Sequence, residues 1–590
     1  MLKDSYSFGL SLLILFYAFS PFRIEKGFVF QIQAEVLIVI MVLAWIGYTA
    51  IFIKQIYTSN ILKRVAGIDL LLLAHFSYLL LQMVFYTVDT EYRLTIVCVS
   101  AAYLLFRRIP VQLINILLIL LPILAVVQII YGYNRFEYPW QTLSDNTGAF
   151  NNTGIFGGFV AMGFVSALGL LLSFKQPVIR ITLGVLLITV TIQLIYSYSR
   201  AAWLAAAIGT VILLIPTFRK LTKGKAAVVI SVFLIASILF SIKLYHLKKD
   251  SADGRLLIWT VSWNMIKEKP LIGYGPGGFR KNYLLRQGVY FKNRPDSSWS
   301  DLAGDSGYPF NEFLKTEIEQ GSAGLFLLIG ILFFAFSNTA SPLVFRAVLA
   351  ALVGFSFFSY PFDIVTFQIL SIFCLAGIAS TQKPVVITGS ARISLKSPAI
   401  VGLTHNPLKY LVIFLIIAFC GTVLFASCNY FVSVKKWNQA LRSYPIGNEK
   451  LLTEFQDIYP AFKHNGEFAF VYGEALYKTG HYEESIPLLE AAKELFPHTQ
   501  ALLMLGEAYE KAGEHSKALN EWEIASYIRP SLFKPHYNIA KLCFKLHDYE
   551  QARQQARELL DKKIKIDNPE IDQMKSEAQE MLDSIINYKL

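Results

Sequence analysis

Apolar runs of the length a helix needs to cross a bilayer, about 20 residues, recur through the first 430 positions of this chain, separated by short polar connections. They begin near residues 5, 33, 67, 93, 110, 152, 178, 201, 224, 322, 344, 364 and 409, which makes about thirteen candidate spans. The first is not a removable signal peptide, because it lacks a basic leading segment and a small-residue cleavage site, and more spans follow it. One polar stretch, residues 246–320, is far longer than a connector. Long loops in compact proteins are usually functional or disordered, and this one carries helical patterning. Leu256, Trp259, Trp263 and Ile266 form an apolar stripe, with Asp253 or Gly254 as a start and Pro270 as a stop. Two tryptophans on such a stripe suit either the membrane–water interface or packing against the spans.

Beyond residue 430 the pattern is amphipathic and repetitive. Gly473 and Gly506 are 33 positions apart, as are Pro497 and Pro530, and Ala518 and Ala552 are 34 apart. One unit reads Gly506, Tyr509, Gly513, Ala518, Trp522, Ala525, Pro530. Small residues there let two helices cross closely, and the proline ends the second. This resembles the tetratricopeptide repeat, a helix–turn–helix unit of about 34 residues. Units begin near 466, 499 and 533, the third with His547 where glycine is usual. Such repeats bind peptides or partner proteins, or serve as spacers. The expected fold class is all-α: a polytopic helical membrane bundle over 1–430 containing the 246–320 loop, a linker helix region over 431–465, and a repeat domain over 466–590.

Composition sharpens this division. Hydrophobic residues make up 54% and charged residues only 16%, against roughly a quarter in soluble proteins, and the mean hydropathy is +0.46. A fully soluble enzyme, a disordered chain and a secreted disulfide scaffold are excluded. Cys98, Cys374, Cys420, Cys428 and Cys543 form no CxxC pair, so neither a zinc site nor a disulfide framework is indicated. The net charge of +12 is uneven: residues 1–430 carry +16 and residues 431–590 carry −4. The excess is therefore a matter of membrane topology rather than of nucleic-acid binding. With the N-terminus in the cytoplasm, Lys54, Lys63, Arg64, Arg107, Arg108, Lys175, Arg180 and Arg219 fall in cytoplasmic connections, whereas the short outer ones hold Arg23, Lys26, Arg93 and Arg135. The large loop is then outside, and an odd span count puts the repeat domain outside with it.

The loop carries 11 basic and 9 acidic residues. Its segment Gly273-Tyr274-Gly275-Pro276-Gly277-Gly278 permits sharp turns and close backbone approach. It reads either as a plain turn or as a set of N–H groups for a phosphate. It is not a Walker loop, since no Gly-Lys-Ser/Thr follows. Arg280 and Lys281 directly after it favour an anionic ligand. Arg200, in Ser197-Tyr198-Ser199-Arg200-Ala201-Ala202-Trp203, joins two spans at the outer face. It either snorkels to lipid headgroups or clamps phosphate with its forked donors. Arg255 stands at the start of the loop helix, near the headgroups.

Taken in order, Ser199-Arg200-Ala201-Ala202-Trp203, Gly254-Arg255 with Trp259, Pro270-Leu271-Ile272-Gly273-Tyr274-Gly275-Pro276-Gly277, and Asn311-Glu312-Phe313-Leu314 with Glu319-Gln320-Gly321 and Gly324-Leu325 resemble the O-antigen ligase and polymerase superfamily over roughly residues 150–380. The resemblance implies an all-helical bundle in the bacterial inner membrane with one large periplasmic loop. It implies metal-independent, cofactor-free transfer of a glycan from an undecaprenyl-pyrophosphate carrier to lipid A core, a polysaccharide, or a protein Ser/Thr. The partners are then the membrane, the lipid-linked glycan, the acceptor and a protein on the repeats, and not nucleic acid. The expected catalytic residues are Arg200, Arg255, Glu312 and Asp305. The expected substrate-binding residues are Arg280, Lys281, Tyr274, Asn311 and Tyr198, and none is expected to hold a metal. Charge on the departing lipid pyrophosphate calls for preorganised arginines.

The family usually has a histidine immediately before the Asn-Glu pair. Phe310 stands there in this chain and cannot take a proton. Three explanations stay open: a carboxylate (Glu312, Asp305 or Asp301) serves as base, the good leaving group makes a base unnecessary, or activity is altered or lost. Plainer roles also exist. Asn311 and Glu312 can open a helix, Asp363 can turn the chain, and His75 can be a satisfied bundle histidine. His246 is the only histidine of the loop. The rival functions are a lipid-linked glycan transporter, which calls for inverted repeats not evident among the spans, and a non-catalytic envelope-assembly scaffold, which the missing histidine favours.

Overall fold

The structure, a computed structural model, describes residues 5–21, 42, 65–136, 138, 141–219, 249–382, 407–564 and 568–587. The spans expected near 33 and 224, and His246, lie outside the described residues. Those residues contain helices and no strand. In chain order the first helices are α1 (Ser5–Phe19), α2 (Gly67–Phe85), α3 (Thr90–Phe106), α4 (Val111–Leu117), α5 (Leu120–Tyr133), α6 (Thr153–Ser173), α7 (Pro177–Tyr196) and α8 (Arg200–Phe218). The polar loop holds α9 (Lys249–Glu268) and α10 (Gly278–Lys292). α11 (Glu312–Ser337), α12 (Leu343–Ser356), α13 (Val365–Ala379) and the long α14 (Pro407–Ser443) follow.

Six described stretches are long and apolar enough to cross a membrane: Gly67–Phe85, Gln112–Tyr133, Thr153–Ser173, Pro177–Tyr196, Arg200–Phe218 and Glu312–Ser337. Ser7–Phe19, Leu343–Ser356 and Val365–Ala379 are apolar but shorter. The described residues therefore do not reach the expected thirteen spans. An apolar run reports burial in protein as well as in lipid, and α13 is buried along nearly its whole length. Small residues let the helices close up: a Cβ on Gly158 would lie 2.3 Å from the Phe355 ring, and one on Gly209 would lie 2.5 Å from Val165.

α11 is broken. Gly321 takes φ 64°, ψ −173°, a conformation essentially reserved for glycine. A break frees backbone groups, which need partners when buried. The glycine-rich segment after α9 supplies them. Tyr274 N and Gly275 N donate to Ile318 O (2.8 Å) and Glu319 O (2.9 Å), while Ser322 N and Ala323 N donate to Pro270 O (2.8 Å) and Leu271 O (3.2 Å). Polar side chains on one face of α2 and just beyond it complete the clamp. Tyr78 Oη donates to Gln320 O (2.6 Å), Gln82 Nε2 to Ile272 O (2.9 Å) and Tyr86 Oη to Gly273 O (3.1 Å). His75 Nε2 is 2.7 Å from Gln320 Oε1, so it is a satisfied bundle histidine.

The loop helix differs from its expected form. Asp253 and Gly254 lie inside α9, which is already helical at Lys249. Its buried face is Leu257, Ile258, Val261, Met265 and Ile266, packed with Phe279 and Tyr283 of α10 in one apolar core. Of the expected stripe, Leu256 and Trp263 are exposed. The helix has two apolar faces, and only one meets protein.

The C-terminal part contains α15 (Glu449–Phe462), then the pairs α16 (Gly466–Lys478) with α17 (Tyr482–Leu495), α18 (Thr499–Lys511) with α19 (His515–Ile528), and α20 (Lys534–Lys545) with α21 (Tyr549–Asp561), and finally α22 (Pro569–Asn587). The turn within each pair needs a left-handed residue: Gly480 (φ 88°), Gly513 (φ 81°) and His547 (φ 64°). Gly506 lies under the buried Trp522, and a Cβ there would fall 2.3 Å from the indole Nε1. Gly506→Ala is expected to destabilise this packing by about 1–3 kcal/mol, read as a lower thermal midpoint of the full-length protein in detergent. An unchanged midpoint would show that the crossing has slack.

This domain is docked against the loop. Gln287 Nε2 donates to Ile528 O (2.8 Å), and Asn465 Nδ2 donates to Asp89 Oδ2 (2.8 Å) at the start of α3. Loop and repeats therefore share one side of the bundle.

Candidate functional site

The connections at that side converge on two arginines. Between α7 and α8 the chain reverses in three residues, helped by a left-handed Tyr198 (φ 45°). Ser199 then caps α8, its hydroxyl accepting Ala202 N (3.3 Å), which makes Arg200 the first helical residue. Trp203 Nε1 ties the turn down by donating to Leu194 O (2.7 Å). Arg255 projects from α9 with its guanidinium 5.2 Å from the centre of the Phe310 ring. Burial lowers its pKa, and the Arg200 charge lowers it further. Two guanidinium groups in each other's field form a place that an anion relieves.

Phe310 has φ 52°, a sparsely populated region for a bulky residue. Its neighbours hold it there. Trp259 Nε1 donates to Pro309 O (2.8 Å), and Asn311 caps α11 by accepting Phe313 N and Leu314 N, each at 3.0 Å. From Phe310 an aromatic ladder leads to a third arginine. Phe310 meets Tyr360 edge-on (5.5 Å), Tyr360 stacks on Tyr308 (4.0 Å, 4°), and Arg280 lies 5.0 Å over the Tyr308 ring while donating to its hydroxyl (2.6 Å). Burial raises the Tyr308 pKa and pushes that of Tyr360 up to about 12, so both hydroxyls stay protonated at neutral pH. A cleft of about 340 Å³ opens between the first half of α9 and residues 302–310, with Arg255, Phe310, Gln287, Asp305 and Ser306 in its walls.

Several expected site residues are engaged elsewhere. The Asp305 carboxylate accepts Thr499 Oγ1 (2.5 Å) and Thr499 N (3.2 Å) from the repeat domain, so it is not a free base. Tyr274 Oη donates to Glu268 Oε2 (2.6 Å), as does Arg286 (2.6 Å). Lys281 Nζ donates to Thr87 O (2.5 Å). The Asn311 side-chain oxygen is the helix cap. Tyr198 is exposed at the α7–α8 turn. The glycine-rich segment offers no anion nest: besides the Tyr274 and Gly275 bonds to α11, Gly278 N donates to Gly275 O (2.9 Å), and the Glu319 carboxylate accepts from Gly277 and Phe279. Of its two readings, the structural one holds, because α11 claims its donors.

Glu312 is buried and accepts Phe362 N (2.7 Å), facing the 361–363 turn. Beside it Lys315 pairs with Asp363 at 2.5 Å. This pair, with Tyr308 and Tyr360, is missed by sequence reasoning, which names only Asp363. Its one signal is a basic residue one helical turn into a helix opened by Glu312. His498 comes close to Asp305 but does not replace the missing histidine. Its Nδ1 accepts Ala501 N (3.2 Å), and burial lowers its pKa, so it is neutral with its proton on Nε2 and has no lone pair to offer.

Arg200, Arg255, the segment that clamps α11 and the Phe310 turn all fall within one stretch of chain. Residues 183–329 match the O-antigen ligase family model. The matched segment runs from α7 to beyond the break in α11. Residues 471–529 match a tetratricopeptide repeat model, in agreement with the helical pairs. No curated protein is significantly similar to the chain. The match and the apolar helices together point to a multi-pass membrane protein with a segment similar to O-antigen ligases, and so to a glycan transferase in general terms.

Proposed function

We propose that the chain transfers a glycan from an undecaprenyl-pyrophosphate carrier to an acceptor hydroxyl at the periplasmic face of the bacterial inner membrane. The observation that carries this reading is Arg255 in the cleft wall, held over Phe310 and within the electrostatic field of Arg200. The acceptor oxygen attacks the anomeric carbon, and the bond from that carbon to the pyrophosphate oxygen breaks. The electron pair leaves on the pyrophosphate, and the acceptor proton passes to water. Arg200 and Arg255 stabilise the departing charge, which grows toward the transition state. Phe310 is a shelf for Arg255 and not a proton acceptor. The Asp305 carboxylate is engaged by Thr499, which favours the reading in which the leaving group makes a dedicated base unnecessary.

Purified protein given undecaprenyl-pyrophosphate-linked glycan should release the lipid pyrophosphate only with the right acceptor present. A gene deletion, examined separately for capped lipopolysaccharide, polysaccharide and glycoproteins, identifies that acceptor. Loss of capped lipopolysaccharide with intact glycoproteins would sink the protein-acceptor version. Phe310→Leu is expected to lower kcat about tenfold by loosening Arg255, whereas Phe310→His should bring no gain above wild type. A large gain with histidine would mean that the site lacks a base it needs.

A further inference from the structure

The repeat domain touches the arginine site through the turn of residues 496–499, between α17 and α18, and through Ile528 and Arg529 at the end of α19. The guanidinium of Arg280 lies 5.6 Å from the centre of the Phe496 ring and 5.0 Å from that of Tyr308, so a loop ring and a repeat-domain ring both contact the cation. Three residues on, Thr499 donates both its hydroxyl and its backbone N–H to Asp305. Arg529, at the end of α19, brings a cation to Asp305 at 3.9 Å. Asp305 and Gln287 both line the cleft beside Arg255 and Phe310, and Gln287 is held by Ile528 O. Two walls of the cleft are thus anchored in repeat-domain atoms, and so is one end of the aromatic ladder. A spacer would not need these contacts, and a partner-binding module could make its docking contacts anywhere on the loop.

We propose that the 496–499 turn is a positioning element of the transferase site. Phe496 fixes the plane of Arg280, and Thr499 fixes Asp305 and with it the 302–310 segment that carries Phe310. Neither residue touches the reacting atoms. The repeat domain is then part of the transferase unit, and whatever binds its groove acts on a structure continuous with the cleft. This rests on the transferase reading above.

The test uses the full-length protein in nanodiscs. Thr499→Val and Phe496→Leu are compared with the conservative Thr499→Ser and Phe496→Tyr by amide hydrogen exchange and by transfer kinetics with undecaprenyl-pyrophosphate-linked glycan. A lost bond to a carboxylate is expected to speed exchange at residues 302–306 about tenfold in Thr499→Val, with the repeat helices unchanged as a check on folding. kcat should fall about tenfold with KM for the glycan moved less than about twofold, as displaced groups act on the transition state. Thr499→Ser and Phe496→Tyr should restore wild-type behaviour. Wild-type exchange at 302–306 in Thr499→Val would overturn the proposal, and so would faster exchange with kcat intact in both non-conservative variants. If the wild-type protein transfers no glycan at all, the transferase reading fails instead, and the exchange data alone decide whether the turn holds the segment.

Discussion

Arg255→Ala is expected to reduce glycan transfer by about 10²–10³-fold, the usual effect of removing one preorganised donor to a developing anion. Arg200→Ala should match it, because each arginine lies in the field of the other. The double variant should be little worse than either single one, since groups that act as a unit do not contribute additively. Lysine at either position should recover only part of the loss. A compact ammonium carries the charge but not the planar fork that grips two phosphate oxygens. KM for the lipid-linked glycan separates binding from chemistry: a loss confined to KM would mean that the pair binds the ground state only. Full activity in both alanine variants would remove the pyrophosphate clamp altogether. Folding should survive, since Arg255 is half-buried and packs on one ring.

Gly321→Ala is expected to abolish the stably folded protein. Its backbone angles lie where side-chain-bearing residues are strained by about 1–3 kcal/mol. A Cβ there would sit 2.3 Å from the carbonyl carbon and oxygen of Leu271, which are backbone atoms and cannot turn away. Relieving that clash separates α11 from the 270–275 segment and breaks the hydrogen bonds between them, each worth about 1 kcal/mol. The sum is a large share of the 5–15 kcal/mol typical of a folded domain. Gly330→Ala on the same helix is the control. Its Cβ would meet Leu71 at an ordinary 3.5 Å, and alanine favours the helix. The thermal midpoint and the yield of detergent-extracted protein read the difference. Equal stability of the two variants would contradict the break in α11.

These two results weigh the parts of the chain differently from a reading of motifs. The Pro270–Gly277 segment is the most conspicuous motif of the loop, and glycine density invites an anion. Its donors instead mend a broken helix 45 residues further on, and nothing in its own composition announces that. Asp305 and Tyr274 have the chemistry of site residues, yet each is turned toward a neighbour, Thr499 and Glu268, that is distant or unremarkable in sequence. Arg200 and Arg255 could be named as candidates from the sequence because the forked donors of arginine suit a phosphate.

The sequence by itself determined the all-helical class and the repeat units, and it named the arginines as candidates. Those properties rest on local periodicity and on residue chemistry, which a string of letters carries in full. Only the tertiary structure decided which donors are engaged, where Phe310 points, and that the repeat domain abuts the site. Those depend on partners separated by tens to hundreds of residues, from Gly273 on α11 to Thr499 on Asp305. Backbone groups are committed by geometry rather than by identity, so no local pattern records the outcome.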